Sequence, residues 1–198
     1  MIRFAWLIAM MVMLTGCSIL SPIKTEQPNS YVLNKVPTHV EQERYRAKTI
    51  LVALPDVRPV IDTTQMAYTT KQYGVAYFSH NQWAETPSQM MLPLIVQTLM
   101  KAHIYHAVVT APFSGHVDYI LNTQIDQLQQ NYTQTPAVLQ FSLRAELVRV
   151  SSSRVVAMKQ FRVSLPIYRQ TPYDGVRVAN NAVAEVLAEL ADFCGDHA

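Results

Sequence analysis

The most regular alternation of apolar and polar residues lies in residues 139–147. Leucine, phenylalanine and alanine fill the odd positions, whereas Gln, Ser, Arg and Glu fill the even ones. A period of two residues predicts a strand with one buried and one solvated face. The polar residues 151–154 predict a turn, and residues 155–165 predict a second strand that returns antiparallel to the first.

Six other segments are rich in β-branched or aromatic residues, a composition that predicts strands. They are residues 31–33, 49–54, 65–69, 74–79, 107–110 and 117–125. The last of these also alternates, with Tyr119, Leu121 and Ile125 on its apolar side.

Two segments have apolar residues at helical spacing instead. The first begins at Pro87, because Thr86 is a suitable N-cap and Gln89 follows it by three residues, as in a capping box. Its apolar face consists of Met91, Leu94, Ile95, Thr98, Leu99 and Ala102. The second helix follows a cap at Thr171 or Asp174. Its apolar face consists of Val178, Ala182, Val183, Val186, Leu187, Leu190 and Phe193.

The order of these elements is strands, a helix, a run of strands and a final helix. Hairpin-connected strands with two helices predict an α+β fold. We expect a single domain over residues 30–198, in which both helices pack on one face of a mostly antiparallel sheet. This length suits one domain with a substantial core.

The N-terminus has the three parts of a secretory signal in order. Arg3 gives a positive start, and residues 4–14 form an uncharged apolar run that is shorter than the roughly 20 residues needed to span a bilayer. Residues 14–17 (LTGC) match the lipobox of bacterial lipoproteins. We therefore predict cleavage between Gly16 and Cys17 and lipid attachment to the Cys17 thiol. The alternative is an ordinary signal peptide with an incidental cysteine.

This prediction divides the chain into a signal peptide (1–16), a lipidated tether (17–29) and the folded domain. Ser18 follows the anchor where Asp usually retains lipoproteins in the inner membrane, so we expect an outer-membrane location with the domain facing the periplasm. Loss of Arg3 lowers the formal net charge from +2 to +1. A nearly neutral domain argues against a nucleic-acid partner.

Few residues suggest catalysis or cofactor binding. The five glycines form neither a phosphate-binding loop nor a nucleophile elbow. His103 and His106 could share a helix face and bind a metal, but no third ligand is near in sequence. We therefore prefer the interpretation that these histidines interact favourably with the dipole at the C-terminus of the helix. Cys194 ends an apolar helix and is interpreted as a half-buried free thiol. We expect no enzyme activity, cofactor or metal.

Five aromatic residues crowd into positions 68–83. They are Tyr68, Tyr73, Tyr77, Phe78 and Trp83. One interpretation is packing within the core and the sheet. The other is an exposed aromatic surface for a protein or lipid partner.

Several motifs between residues 31 and 85 resemble one family. They include YVL at 31–33, ILV at 50–52, IDTTQMAY at 61–68 and WAE at 83–85. This pattern resembles the ABC-type transport auxiliary lipoproteins, the group that includes the paraquat-inducible protein C lipoprotein. Thr64 and Gln82 stand where arginine is more usual in that family.

The resemblance implies a function and partners. Such lipoproteins are non-enzymatic components of lipid-transport systems that contain an ABC permease, its ATPase and a periplasmic mammalian-cell-entry-type protein. The resemblance implies that the lipoprotein docks to this periplasmic protein. Assembly of the lipoprotein into a homo-oligomer is a further option. A second hypothesis is a chaperone for outer-membrane assembly, similar to the lipopolysaccharide-assembly lipoprotein. A third, an envelope hydrolase, would require a catalytic site that the sequence does not suggest.

Overall fold

Nine strands, two α-helices and a short 3-10 helix (Val150–Ser152) form the part of the chain that this computed structural model describes, residues 27–40 and 45–198. The elements are β1 (Asn29–Tyr31), β2 (Arg46–Val52), β3 (Asp56–Val57), β4 (Gln65–Thr69), β5 (Ala76–Trp83), α1 (Pro87–Ala102), β6 (Tyr105–Thr110), β7 (Tyr119–Asn131), β8 (Ala137–Arg149), β9 (Arg154–Ile167) and α2 (Pro172–His197). The predicted signal peptide, with Gly16 and Cys17, lies outside the described residues.

A single mixed sheet is organised around the long strand β7. On one side β7 pairs antiparallel with β8, which pairs antiparallel with β9. On the other side β2, β3 and β4 pair with β7 in parallel, one after another along its length. β5 joins β4 antiparallel, while β1 and β6 add parallel edges. The two long antiparallel ladders contain most of the residue pairs, and the predicted α+β fold is confirmed.

Both helices pack on the same face of this sheet. α2 contacts β8 and β9, and α1 contacts β6 and α2. The rings of Phe161 on β9 and Phe193 on α2 meet edge to face, with centroids 6.0 Å apart. Every residue on the two predicted apolar helix faces is buried. Burial of these faces is the main source of helix stability, since helices in globular proteins are stabilised more by tertiary packing of an apolar face than by intrinsic propensity.

The helix starts follow from local capping. Gln89 Oε1 accepts a hydrogen bond from the Thr86 backbone N–H at 3.1 Å, which is one half of the predicted capping box. At the second helix the N-cap is Thr171, whose Oγ1 accepts from the Asp174 N–H at 3.1 Å. Asp174 therefore lies in the first turn of α2. Within the described ranges, neither helix is both long and apolar enough to cross a bilayer.

Candidate functional site

The aromatic residues of positions 68–83 do not form one surface. Trp83 is only 4% exposed and belongs to the core, whereas Tyr73 is 96% exposed. Between these extremes, the rings of Tyr68 and Phe78 stack with centroids 4.4 Å apart. The Tyr77 hydroxyl donates to the Val60 carbonyl at 2.7 Å. Of the five residues, Tyr73 is therefore the one most available to a partner.

Tyr73 occupies an unusual backbone conformation at the tip of the β4–β5 hairpin. Its φ is 64°, in the left-handed region that costs a bulky residue about 1–3 kcal/mol. The next residue, Gly74, donates its N–H to the Lys71 carbonyl at 3.0 Å and closes the turn. The hairpin thus holds a large ring in solvent at a conformational cost, which marks the position as a candidate contact site.

Three loops lie side by side at the end of the sheet where β7 stops. They are residues 70–75 between β4 and β5, residues 132–136 between β7 and β8, and residues 168–171 between β9 and α2. The Tyr132 N–H donates to the Thr69 carbonyl at 2.8 Å, which joins the first two loops. Ala137 pairs with Ile167, which brings in the third. We call this region, together with the first turn of α2, the tyrosine end.

The tyrosine end carries exposed aromatic rings and positive charge. Tyr168 is 83% exposed and Tyr173 is 61% exposed, in addition to Tyr73. The three loops contain Lys71 and Arg169 but neither aspartate nor glutamate. The nearest acidic residue on α2, Asp174, is buried, and its carboxylate pairs with Arg177 at 3.1 Å.

The sequence prediction missed Tyr168 and Tyr173 because they lie far from the aromatic cluster along the chain. A usable signal was present, since Tyr-x-Gln-Thr-Pro occurs twice, at residues 132–136 and 168–172. In the structure both copies belong to the tyrosine end. A search for recurring short loops, rather than for local aromatic density, would have found this region.

Among the described residues, no helix covers the face of the sheet opposite α1 and α2, and this face is polar. Asp126 on β7 is central to it: its carboxylate accepts from Arg144 Nη2 at 3.1 Å and from Gln160 Nε2 at 3.2 Å. Gln160 also donates to the Ser142 hydroxyl and accepts from Arg162. Ser142 was expected on the solvated side of its strand and does face this way, but these neighbours leave it buried. We call this surface of β7, β8 and β9 the open face.

A second hydrogen-bond cluster on the open face is centred on Gln140. Its Oε1 atom accepts from the amide groups of Gln127, Gln129 and Asn131, at 3.0, 3.3 and 3.4 Å. Hydrogen-bonded side chains lose less freedom when a partner binds, because they are already held in place. The open face is therefore a pre-ordered polar surface.

A cleft of about 730 Å³ is lined by residues of the segment 30–36 on one side and by the N-terminal half of α2 on the other. Asn180 fills its floor: its Oδ1 accepts from the backbone N–H groups of Asn34 and Lys35, at 2.8 and 3.1 Å. Its Nδ2 donates to the carbonyls of Val32 and Val176, both at 3.1 Å. With its amide fully used, Asn180 fixes the first residues of the domain against α2.

The two histidines considered as metal ligands lie on different elements. His103 is the left-handed C-cap of α1, while His106 lies on β6 and contacts the Tyr45 hydroxyl through Nδ1 at 3.1 Å. The idea that they share a helix face is wrong, because α1 ends at Ala102. Among residues 27–40 and 45–198, no group of three or more His, Cys, Asp or Glu side chains could hold a metal ion.

Cys194 is fully buried rather than half-buried, because α2 continues past it to His197. Burial raises the pKa of its thiol to about 12, so the thiol is protonated at neutral pH. Its backbone carbonyl accepts from the Tyr105 hydroxyl at 3.3 Å, and burial also raises the pKa of that tyrosine. A protonated thiol without access to solvent is a poor nucleophile.

Comparisons with known proteins identify a matching family model and solved structures with a similar fold. The model of the family described as "ABC-type transport auxiliary lipoprotein component" matches residues 31–191. A crystal structure of a Xanthomonas campestris protein of family DUF330 aligns with a TM-score of 0.71 and 20% identity, covering 86% of this chain and 94% of that one. An uncharacterized protein aligns with a TM-score of 0.68 and 16% identity, covering 85% and 99%. Comparison with curated proteins finds no match.

Proposed function

Since the chain belongs to the family of ABC-type transport auxiliary lipoproteins, we propose that it is a non-enzymatic component of a lipid-transport system in the cell envelope. The family match over residues 31–191 carries this proposal, because it spans the domain from β1 into α2. The resemblance in the motifs at 31–85 thus extends to the whole fold. Burial of the Cys194 thiol also counts against a thiol-dependent hydrolase.

The proposed anchor is diacylglycerol and a further acyl chain on Cys17 of the mature protein. Each buried methylene contributes about 0.8 kcal/mol, and more than one chain makes membrane attachment stable. With Ser18 after the anchor, the lipoprotein is sorted to the outer membrane and its domain faces the periplasm.

We assign docking of the mammalian-cell-entry-type protein to the open face. Both helices cover the opposite face of the sheet, so the long strands β7, β8 and β9 present their free side to a partner. Arg144 and Arg162 lie on this surface, and arginine is enriched at protein interfaces. The polar, pre-ordered character of the open face suits a partner that must bind and release during transport.

Site-specific photo-crosslinking in cells tests this assignment. A photoreactive phenylalanine analogue replaces Ser164, an exposed open-face residue of β9, or Met158 on the same face. Glu185 on the exposed side of α2 is the matched control. We expect an adduct with the mammalian-cell-entry-type protein from positions 158 and 164 but none from 185.

Two other outcomes would oppose the proposal. Adducts from position 185 alone would place the contact on the helical side. Adducts with an outer-membrane β-barrel assembly protein, and none with a transport component, would support the chaperone hypothesis instead.

A further inference from the structure

We propose that the tyrosine end is a membrane-contacting surface that rests on the headgroups of the bilayer in which the chain is anchored. This inference depends on the proposed lipid attachment at Cys17, but it adds a second contact and fixes the orientation of the domain. It is carried by three features of the described residues: the exposed rings, the sign of the charge and the direction in which the N-terminus leaves the fold.

The exposed rings have the chemistry of the bilayer interface. Tyr73, Tyr168 and Tyr173 are more than half exposed; the first two lie in adjacent loops and the third in the first turn of α2. A tyrosine ring is apolar along its body and polar at its hydroxyl, so it gains from a position between acyl chains and water. Three such rings at one end of a sheet form a set of interfacial anchors.

The charge of the tyrosine end fits an anionic lipid surface. Lys71 and Arg169 extend from two of the three loops, and these loops lack carboxylates that would be repelled. The Asp174 carboxylate is buried and neutralised by Arg177. Basic residues next to a membrane are attracted to anionic headgroups, while carboxylates are not.

The direction of β1 supports an anchor near this end. β1 runs parallel to β5, with Asn29 opposite Asn81 and Tyr31 opposite Trp83. β1 therefore runs in the same direction as β5, away from the loop at 70–75, and Asn29 is its residue nearest that loop. The twelve residue steps from Cys17 to Asn29 span at most about 40 Å, so the anchor keeps the domain close to the bilayer.

The start of the domain also lies beside the first turn of α2. The rings of Tyr31 and Tyr173 are 6.1 Å apart, and Asn180 fixes the backbone of residues 34 and 35 against the helix. The domain therefore does not swing freely about residue 31. With this junction fixed, the tyrosine end is the part of the domain nearest the tether.

Tryptophan scanning of the full lipidated protein in vesicles tests the orientation. Tyr73→Trp and Tyr168→Trp place a reporter at the tyrosine end. Tyr45→Trp is the matched control, because Tyr45 is 58% exposed and precedes β2 at the opposite end of the sheet. The buried Trp83 gives the same background in all three proteins. The vesicles contain phosphatidylethanolamine and phosphatidylglycerol, with or without brominated acyl chains that quench nearby tryptophan.

We expect brominated lipid to quench the reporters at 73 and 168 by about twofold or more relative to the reporter at 45. Equal quenching at all three positions, or stronger quenching at 45, would overturn the proposed orientation. Unquenched reporters whose emission changes only when a protein partner is added would assign the tyrosine end to protein contact instead. Flotation with the vesicles is scored separately: a protein that does not float lacks the anchor, whereas a floating protein without selective quenching refutes only the membrane contact.

Discussion

Asp118, directly before β7, joins three parts of the sheet. Its side chain accepts from the Thr49 N–H and from Lys48 Nζ, both at 2.9 Å. Its backbone N–H donates to the Thr49 carbonyl, and its carbonyl accepts from the Val150 N–H. The hydrogen bond from Thr49, followed by that from Lys48, holds the pKa of the Asp118 carboxyl below its usual value of 3.8. One carboxylate thus fixes the start of the parallel β2–β7 pairing.

Replacement of Asp118 with Ala should lower the free energy of unfolding at pH 7 by about 1–2 kcal/mol, because the Thr49 N–H loses a charged acceptor. Asp118→Asn, which keeps an acceptor oxygen, should cost less. Urea unfolding followed by circular dichroism measures both variants. Equal stability of the wild type and Asp118→Ala would show that the carboxylate contributes nothing to the fold.

The contribution of Asp118 should also depend on pH in a known direction. Because folding lowers its pKa, the carboxylate stabilises the native state fully above its unfolded pKa, near 3.8, and this stabilisation disappears as the pH falls through the folded pKa. The difference between wild type and Asp118→Ala should be constant from pH 8 to about 5 and shrink below about 4. A difference that grows on acidification would contradict the stated cause.

Tyr73 allows contact function and stability to be separated. Tyr73→Gly should leave the free energy of unfolding unchanged or raise it by up to about 1 kcal/mol, because glycine adopts a positive φ without steric cost. Tyr73→Ala removes the same exposed ring but keeps the Cβ atom, so it should not gain this stability. The difference between the two variants in the free energy of unfolding, measured by urea titration, reports the backbone strain at position 73. A glycine variant that is less stable than the alanine variant would exclude such strain.

At the scale of elements, the packing of α2 on β7 depends on one glycine. A Cβ atom on Gly175 would lie 2.1 Å from Cδ of Gln130. Gln130 is buried and its Oε1 accepts from the Tyr132 hydroxyl, so its side chain cannot move aside freely. The absence of a side chain at position 175 therefore lets the first turn of α2 lie directly against the sheet.

Gly175→Ala should lower the free energy of unfolding by about 1–3 kcal/mol through this overlap. In a Gln130→Ala background the same substitution should be neutral or favourable, since alanine is the better helix former by about 1 kcal/mol. A double-mutant cycle in urea measures the coupling between the two positions. Additive effects would show that they do not interact.

Local patterns predict those elements whose side chains alternate or repeat without interruption. β4 occupies Gln65–Thr69, the predicted range, and both helices bury their predicted faces. β7 was predicted to end near residue 125 but continues to Asn131. A β-bulge at residues 126–127 places two successive polar residues on the open face and then returns Leu128 to the core. Because the bulge shifts the alternation of buried and exposed residues by one position, a period-two pattern does not predict the strand beyond residue 125.

At the scale of the whole molecule, we propose different roles for three surfaces. The helices cover one face of the sheet, the open face is assigned to the protein partner, and the tyrosine end is assigned to the membrane beside the tether. The aromatic residues near position 73 were visible in the sequence, but the surface was not, because its loops are brought together by long-range pairing of β4, β7, β8 and β9. The parallel pairing of β2, β3 and β4 with β7 also joins strands that are far apart in the sequence, so local patterns did not predict it.

The central claim is that this lipoprotein works as a component of a transport complex, and affinity recovery from detergent-extracted membranes tests it most directly. The full chain carries a C-terminal tag, and an untagged strain is the control. We expect mass spectrometry to identify a mammalian-cell-entry-type protein with its ABC permease and ATPase, at higher levels with wild type than with Cys17→Ala. Recovery of intact lipoprotein without any of these three proteins would contradict the claim.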